Sequence, residues 1–345
     1  MDLTDPRQPE PSGTHPRHPP SAGPLSIWAV SDGRAGIEAQ ALGLAQAIAR
    51  RRAADIEIKR VRWKGLIGRL PWWLVPFPRL FLARESGVAP PWPDIWVATG
   101  RATLPLSIRV QGWSNGRTFV VQTQDPRISP RRFDLVVPPR HDELKGENVF
   151  PIIGSPGRIT PERLRTELER FRGELDALPR PRVAVIIGGA SKAHDLSPGR
   201  ASAMGQAIAT AVARTNGSVM VSFTRRTPPA AQAILTEHLA QLPGVIWNGQ
   251  GENPYFAYLA AADHILVTED STNLATDAAS TGKPVSLLKM DGESPKLRRF
   301  HEELQERGVS RPFDGELGHW SYEPLAETDR AAAEVLRRYD QRAKR

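Results

Sequence analysis

The sequence contains no cysteine, which excludes disulfides, thiolate catalysis, iron–sulfur clusters and thiolate zinc sites. It also lacks any uninterrupted apolar stretch of roughly 18 residues, the length that a membrane-spanning helix needs. Its eight histidines are scattered without the spacing of metal ligands, so we expect no bound metal. These absences favour a cytoplasmic protein, either free in solution or peripheral on the inner face of the cytoplasmic membrane.

Several catalytic and nucleotide-binding motifs are absent as well. There is no Walker A sequence, no His-Glu-x-x-His pair and no Ser-His-Asp arrangement. The turn at residues 33–36 is rich in glycine but lacks the full G-x-G-x-x-G fingerprint, and Lys59 and Arg60 stand where a ribose-binding acid would follow the second strand. We therefore expect no nicotinamide cofactor, and any chemistry must come from groups that meet in the folded chain.

The chain has an excess of positive charge. The formal net charge is +8 and the sequence pI is near 10.1, a balance that favours anionic partners such as nucleotides or anionic lipid. We expect no nucleic-acid partner, because the arginines are spread along the chain and no basic run alternates with aromatic residues. Residues 1–24 are rich in proline and carry no apolar block, so we predict a disordered tail there.

The rest of the chain alternates between short apolar runs and helical patterns. This alternation predicts an α/β protein with two Rossmann-like, doubly wound parallel-sheet domains that face each other across a cleft. We predict domains at residues 25–178 and 179–322, followed by a C-terminal helix at 323–345. The predicted strands lie at 25–30, 56–61, 94–98, 118–122 and 135–137 in the first domain and at 183–187, 218–223 and 264–267 in the second.

Small or charged residues follow three predicted strands of the second domain. In a parallel sheet the ligand lies outside the carboxyl ends of the strands, where helix N-termini offer free N–H groups. Each loop alone would be an ordinary solvated connection, but three at one sheet edge favour a site for a nucleotide-sugar donor. The predicted donor residues are Gly188, Gly189, Ser191, Lys192, Arg225, Arg226, Glu269, Asp270, Ser271 and Asn273, with Asn253 and Tyr255 beside the base.

The first domain would hold the acceptor. The predicted cleft residues follow its strands and are Gly33, Arg34, Gly36, Gln40, Gly100, Arg101 and Gln124. Asp125 and His141 are candidates for the catalytic base that deprotonates the acceptor. Two other interpretations stay open, since Asp125 before a proline could simply cap a turn and His141 could be a solvated loop residue.

An aromatic segment at residues 63–88 interrupts the first domain. Prolines prevent a long helix there, and the neighbouring cations suit an interfacial membrane patch made of Trp72, Trp73, Phe77 and Phe81. The alternative is that these aromatic side chains fill the core.

With these residues identified, the chain resembles the ELM1-like family of bacteria and plants. The resemblance covers roughly residues 25–312 and rests on the turn at 31–36 with Gln40, on 122–126, on Gly188 and Gly189, and on 222–227, 252–255 and 268–284. Plant members of the family are associated with mitochondrial fission, which implies recruitment of a partner to a membrane. The second half also resembles the donor domain of GT-B glycosyltransferases, which implies a nucleotide-sugar substrate and no cofactor.

Three functions from different classes follow. The first is a GT-B-like, metal-independent glycosyltransferase that uses a nucleotide-sugar and an envelope or lipid-linked acceptor. The second is a non-catalytic recruitment factor that binds membrane or protein. The third is a nucleoside-diphosphate-sugar epimerase, the label that bacterial members often carry; a short-chain enzyme of this kind would need a Tyr-x-x-x-Lys pair, which the sequence lacks.

Overall fold

The computed structural model describes residues 23–65, 67, 70, 74–75 and 77–344. Most of the predicted tail (1–24) and both Trp72 and Trp73 lie outside the described residues. Within the described part, no helix is both long enough and apolar enough to cross a bilayer.

The first domain is built on a five-stranded parallel sheet of order β2-β1-β3-β4-β5. Its strands are β1 (Leu25–Ser31), β2 (Ala54–Arg60), β3 (Ile95–Ala98), β4 (Phe119–Gln122) and β5 (Leu135–Val136). Helices α1 (Ala35–Arg51) and α2 (Leu104–Trp113) connect them. Nearly every residue of β1, β3 and β4 is buried, because helices and loops cover both faces of a parallel sheet.

The second domain contains a six-stranded parallel sheet of order β13-β11-β10-β6-β8-β9. Its strands are β6 (Arg182–Ile187), β8 (Ser218–Phe223), β9 (Gly244–Trp247), β10 (His264–Thr268), β11 (Val285–Leu288) and β13 (Ser310–Pro312). The short strands β7 (His194–Asp195) and β12 (Asp291–Gly292) form an antiparallel ribbon beside it. The fold class is therefore confirmed: two parallel-sheet α/β domains.

Seven helices accompany this sheet among the described residues: α3 (Pro161–Arg170), α4 (Arg172–Leu175), α5 (Pro198–Arg214), α6 (Pro229–Leu239), α7 (Tyr255–Ala261), α8 (Thr272–Ala279) and α9 (Pro295–Glu306). Serine side chains cap the N-termini of three of them, since Ser197, Ser271 and Ser294 each accept a hydrogen bond from the backbone N–H three residues later. Ser271, predicted to bind the donor, is thus the N-cap of α8.

The chain passes between the domains twice. Helix α3 packs on the core of the second domain through Leu164 and Leu168, which favours a first crossover at residues 153–160. The last helix, α10 (Glu327–Ala343), returns to the first domain and buries Val335 and Leu336 there. The two crossovers are hydrogen bonded to each other at Gly157 and Thr328, with 2.9 Å between N and Oγ1. The domain limits predicted at 178 and 322 stay a prediction.

Candidate functional site

Loops at the carboxyl ends of the two sheets meet at the domain junction. The centre of this contact is Asn273, in the first turn of α8, whose Nδ2 donates to the backbone oxygen of Gly36 at 2.8 Å. Its Oδ1 accepts from Gln40 Nε2 at 2.8 Å and from Ser155 Oγ at 2.7 Å. Gln124, which follows β4, donates from Nε2 to Gln40 Oε1 at 3.0 Å. The structure thus brings Gly36, Gln40, Gln124 and Asn273 together across the domain boundary.

A second contact between the domains is made by charges. The turn at residues 140–142, after β5, faces helix α9. Arg140 and Glu303 pair at 3.0 Å, Asp142 pairs with Lys296, and Arg299 pairs with Glu143 at 3.2 Å. The carboxyl ends of both sheets therefore border one cleft, with amides on one side and ion pairs on the other.

Gly188 and Gly189, at the end of β6, are buried under other parts of the second domain. A Cβ on Gly188 would lie 2.0 Å from Asp270 Oδ1, and one on Gly189 would lie 2.1 Å from the backbone carbon of Arg226. Both N–H groups have partners, since Gly188 donates to Thr268 Oγ1 at 2.7 Å and Gly189 donates to Asp270 Oδ2 at 3.1 Å. Close packing against protein groups therefore requires glycine at both positions, and their part in donor binding stays a prediction.

Asp270 holds this packing together. Its side chain is fully buried and accepts from Arg226 Nη2 at 2.6 Å and from Thr268 Oγ1 at 2.7 Å. Arg226 also donates from Nη1 to the backbone oxygens of Gly189 and Ala190, both at 3.1 Å. Because a buried carboxylate needs such donors, Asp270 and Arg226 join three strand-end loops into one unit.

Three cations at strand ends have no such partner. Arg101 follows β3, Lys192 lies beyond the end of β6 and Arg225 follows β8; all three are exposed. Within the described part of the chain they make no ion pair or side-chain hydrogen bond. Arg34, by contrast, pairs with Asp32 at 2.7 Å. Three cations that are free to meet an anion therefore lie at the carboxyl ends of strands.

Other predicted residues shape these loops. Gly33 and Gly100 have positive φ values of 80° and 89°, which glycine adopts without strain. Ser191 Oγ accepts from the N–H groups of Ala193 at 3.2 Å and His194 at 3.0 Å, so its hydroxyl fixes the loop that carries Lys192.

The two candidate bases differ in their surroundings. Asp125 accepts from the N–H of Arg127 at 2.8 Å and pairs with its guanidinium at 3.1 Å, so it caps its own turn. His141 is only 5% exposed and its ring lies 5.2 Å from that of Phe300, so the interpretation as a solvated loop residue is wrong. Burial, together with the charges of Lys296 and Arg299 and a contribution from His301, lowers the pKa of His141 to about 3. A group with so low a pKa is neutral at pH 7 and is a weak base.

A pocket of about 320 Å³ opens beside Glu269, at the carboxyl ends of β10 and β11. His194, Lys289 and His301 line it too. Glu269 accepts from the N–H of Met290 at 2.8 Å through Oε1, and its backbone oxygen accepts from His301 Nε2 at 2.8 Å. The Nδ1 atoms of His194 and His301 are buried without a hydrogen-bond partner among the described residues.

His301 and Lys289 are functional candidates that sequence reasoning missed. A backbone oxygen can only accept, so His301 Nε2 carries the proton and Nδ1 presents a lone pair. Burial lowers the pKa of His301, which keeps the ring neutral. The available signal was the helical spacing of Leu297, Phe300 and Leu304 after Ser294 and Pro295, which predicts α9 and its buried face.

The predicted base-binding residues lie at the start of α7. Asn253 Oδ1 accepts from the N–H of Tyr255 at 3.0 Å, a capping contact. The Tyr255 hydroxyl donates to Asp277 Oδ2 at 3.1 Å. Burial raises the pKa of Asp277 to about 7, although Tyr255 and Arg158 oppose the shift. Tyr255 is thus tied to α8, and Asn253 stays exposed.

The aromatic segment leaves large apolar side chains in solvent. Phe77 is 67% exposed, Leu80 is 69% exposed and Leu74 is 55% exposed. Phe81 is 36% exposed, so both described members of the predicted membrane patch face outward rather than filling the core. We call residues 74–81, of which Pro76 lies outside the described part, the apolar segment.

Solved structures share this architecture. UDP-GlcNAc 2-epimerase from Methanocaldococcus jannaschii superposes with a TM-score of 0.54 at 11% identity, over 91% of this chain and 99% of that one. The enzyme from Neisseria meningitidis, solved with UDP-GlcNAc bound, gives 0.51 at 13% identity, over 92% and 94% of the two chains. At this identity the similarity shows a common GT-B-like fold.

Sequence relatives come from plants and bacteria. The mitochondrial fission protein ELM1 of Arabidopsis thaliana is 33% identical over 272 residues, which are 71% of this chain and 64% of that protein. This chain thus spans less than two thirds of the length of the plant protein. An uncharacterised protein of Rickettsia prowazekii (strain Madrid E) is 24% identical over 355 aligned positions, 89% of this chain and 97% of that one. The family model for mitochondrial fission ELM1 matches residues 35–339, and the chain belongs to that family.

Proposed function

We propose that this protein is a metal-independent glycosyltransferase that moves a sugar from a nucleoside diphosphate to an envelope or lipid-linked acceptor. The observation that carries the proposal is the set of exposed, unpaired cations Arg101, Lys192 and Arg225 at the carboxyl ends of strands that border one cleft. Cations placed there stabilise the negative charge that develops on a departing diphosphate.

The donor lies across the second domain. Lys192 and Arg225 contact the diphosphate, and the nucleoside extends toward Asn253 at the start of α7. The sugar enters the pocket beside Glu269, whose volume of about 320 Å³ suits a monosaccharide. Carboxylate, ammonium and imidazole groups line that pocket and match the hydrogen-bonding needs of sugar hydroxyls.

The reaction is a displacement at the anomeric carbon. An acceptor hydroxyl oxygen forms a bond to that carbon while the bond to the diphosphate oxygen breaks, and the nucleoside diphosphate leaves with the electron pair. Asp125 takes the hydroxyl proton, because it lies beside Gln124 at the cleft and is partly open, with a side chain 14% exposed. His141 is the weaker candidate because its ring is packed against Phe300.

Epimerisation of the same donor is the second candidate. It is favoured by the fold shared with two UDP-GlcNAc 2-epimerases, one of which was solved with UDP-GlcNAc. The two activities differ in their products. Transfer needs an acceptor and forms a new glycosidic bond, whereas epimerisation needs no acceptor and inverts one carbon of the sugar.

The test is a product analysis with labelled nucleotide-sugars, with and without a membrane extract as acceptor. Transfer predicts label in an extract-dependent product and free nucleoside diphosphate in equal amount, both lost in Asp125→Asn. An altered sugar that forms without the extract would show that the activity is epimerisation and not transfer. No turnover of any donor, with the wild type folded, would contradict both enzymatic functions.

Recruitment at a membrane is a third candidate, favoured by the exposed apolar segment. Phe77 and Leu80 lie in solvent, and Arg79 and Arg84 are close to them in sequence. An anionic lipid surface offers both an apolar layer and negative charge. Membrane binding also serves the transferase, because it brings the first domain to a lipid-linked acceptor at the inner face of the cytoplasmic membrane.

A further inference from the structure

A directed chain of amides crosses the domain junction. Gln124 donates to Gln40, Gln40 donates to Asn273, and Asn273 donates to the backbone oxygen of Gly36, with distances of 3.0, 2.8 and 2.8 Å. We call Gln124, Gln40 and Asn273 the amide relay. In each of the three bonds an amide NH₂ group donates and an oxygen accepts, so the bonds run in one direction from Gln124 to Gly36.

The middle of the relay is buried. Gln40, in the second turn of α1, is 5% exposed, so both ends of its amide depend on these two partners. A buried amide without partners costs free energy, and the cost is avoided only when Gln124 and Asn273 are both in place. The relay therefore favours one relative position of the two domains.

Close packing leaves the two domains little room to move away from that position. A Cβ on Gly36 would lie 3.0 Å from Asn273 Nδ2, and one on Gly154 would lie 2.0 Å from Thr276 Oγ1. Helix α8 thus contacts the backbone of the first domain at one point and of the crossover at another. A shift of either domain would break the hydrogen bonds that Asn273 makes with Gln40 and Gly36.

The ends of the relay lie in the two halves of the candidate site. Gln124 precedes Asp125, the candidate base, and Asn273 follows the Ser271 cap of α8, close to Glu269 and Asp270. A ligand that touches both ends binds best when the relay is closed, and by linkage its binding stabilises closure.

We propose that Gln40 is a positioning residue that couples closure of the two domains to nucleotide-sugar binding in the cleft. The coupling to this ligand class rests on the proposed function, whereas the domain position held by Gln40 does not. Gln40 touches no ligand itself and acts through Gln124 and Asn273.

The test uses Gln40→Met, which keeps the length of the side chain and removes both hydrogen-bonding groups. Gln111→Met is the matched control, because Gln111 lies on α2 and donates to Asp134 within the first domain, at 2.6 Å. Since the chain has no cysteine, the exposed residues Lys145 and Glu237 can be replaced by cysteine and labelled, one in each domain. Distances between the labels are then measured with and without UDP-GlcNAc.

Without ligand, Gln40→Met should broaden or lengthen the distance distribution, and Gln111→Met should leave it unchanged. UDP-GlcNAc should narrow the distribution of the variant again, with affinity about tenfold weaker, because one of the two hydrogen bonds that are lost, Gln40 to Asn273, joins the domains. An unchanged distribution in Gln40→Met would overturn the proposal.

Two further outcomes are separable. If the wild type binds no nucleotide-sugar while the variant still opens, the proposed ligand class fails and the positioning by Gln40 stands. If Gln40→Met does not fold, Asn273→Leu removes the same bond between the domains from its other side, and a ligand-free distribution identical to that of the wild type would then contradict the proposal.

Discussion

Asp270 combines a fully buried carboxylate with hydrogen bonds from Thr268, from the N–H of Gly189 and from Arg226. Three strand-end loops depend on this one side chain. Donor binding by Asp270 stays a prediction, but its fully buried side chain already accepts hydrogen bonds from these protein groups. The residue is therefore expected to act on the site through loop position.

Replacing Asp270 with Ala should lower the free energy of unfolding by about 3 kcal/mol, because donors from three loops lose their acceptor. This loss is smaller than the upper range for buried ion pairs, because the Arg226 side chain is 43% exposed and water can solvate it. Urea denaturation measures the change, with the exposed carboxylate Glu293→Ala as the control. A loss under 1 kcal/mol would show that the loops are held independently of Asp270.

His141 makes stability depend on pH. Its folded pKa of about 3 lies below the usual value of 6.5, so between these values the unfolded state binds more protons than the folded state. Its contribution to stability is complete above pH 6.5 and is lost as pH falls toward 3, at up to about 1.4 kcal/mol per pH unit. The buried His264, whose pKa burial lowers to about 4, acts with the same sign.

We therefore expect His141→Gln to reduce the loss of stability between pH 6.5 and pH 4. Denaturation midpoints at several pH values measure this, and His319→Gln, an exposed histidine, is the control. The pH slope of each variant is compared with that of the wild type, because Asp277 has a raised pKa and makes stability rise as pH falls, opposite to the histidines. Equal pH slopes for wild type and His141→Gln would contradict the burial of a neutral imidazole there.

At the scale of elements, the apolar segment differs from the rest of the surface. Among the described residues, the large hydrophobic side chains that are exposed lie at positions 70–81, except Ile58. A surface of this kind marks an interaction site, and its nearest charges are basic. It is the element through which we expect the protein to meet a membrane.

Replacing Phe77 and Leu80 together with Ser should reduce binding to vesicles that contain anionic lipid by more than tenfold, since each side chain contributes roughly 1.5–3 kcal/mol when buried in an apolar layer. Vesicle co-sedimentation measures it. Ile58→Ser is the matched control, a residue 42% exposed on β2 and outside the segment. Vesicle binding that survives the double substitution would remove the apolar segment as the contact.

Elements with strong local signals were predictable from sequence, and contacts between distant elements were not. Strands β1, β4, β6, β8 and β10 follow continuous apolar runs, and the structure confirms them within about two residues. The relay is different, since Gln40 and Asn273 are separated by 233 positions and meet only because both domains are in place. Crowding at Gly188 also comes from a distant residue, Asp270, so the sequence could not show that close packing requires glycine there.

At the scale of the molecule, two parallel sheets present their carboxyl ends to one cleft, and two crossovers hold the domains together. The net charge of +8 attracts anions, and the exposed cations Arg101, Lys192 and Arg225 lie at the strand ends. Family membership is shared with a plant protein of mitochondrial fission, of which this chain spans 64%. Binding of an anionic nucleotide by the cleft is the property that the architecture and the charge favour together.

The most direct measurement of that property is a thermal-shift titration of the purified protein, without added metal, against UDP-, GDP-, CMP- and dTDP-sugars and NAD(P). A ligand at a hundredfold excess over its dissociation constant stabilises the native state by roughly 2.7 kcal/mol. We predict a shift with one nucleotide-sugar family that is lost in Arg225→Ala and in Glu269→Ala and kept in Arg214→Ala, an exposed cation paired with Glu316 away from the cleft. No shift with any nucleotide-sugar, or an equal shift in all three variants, would contradict a donor site in this cleft.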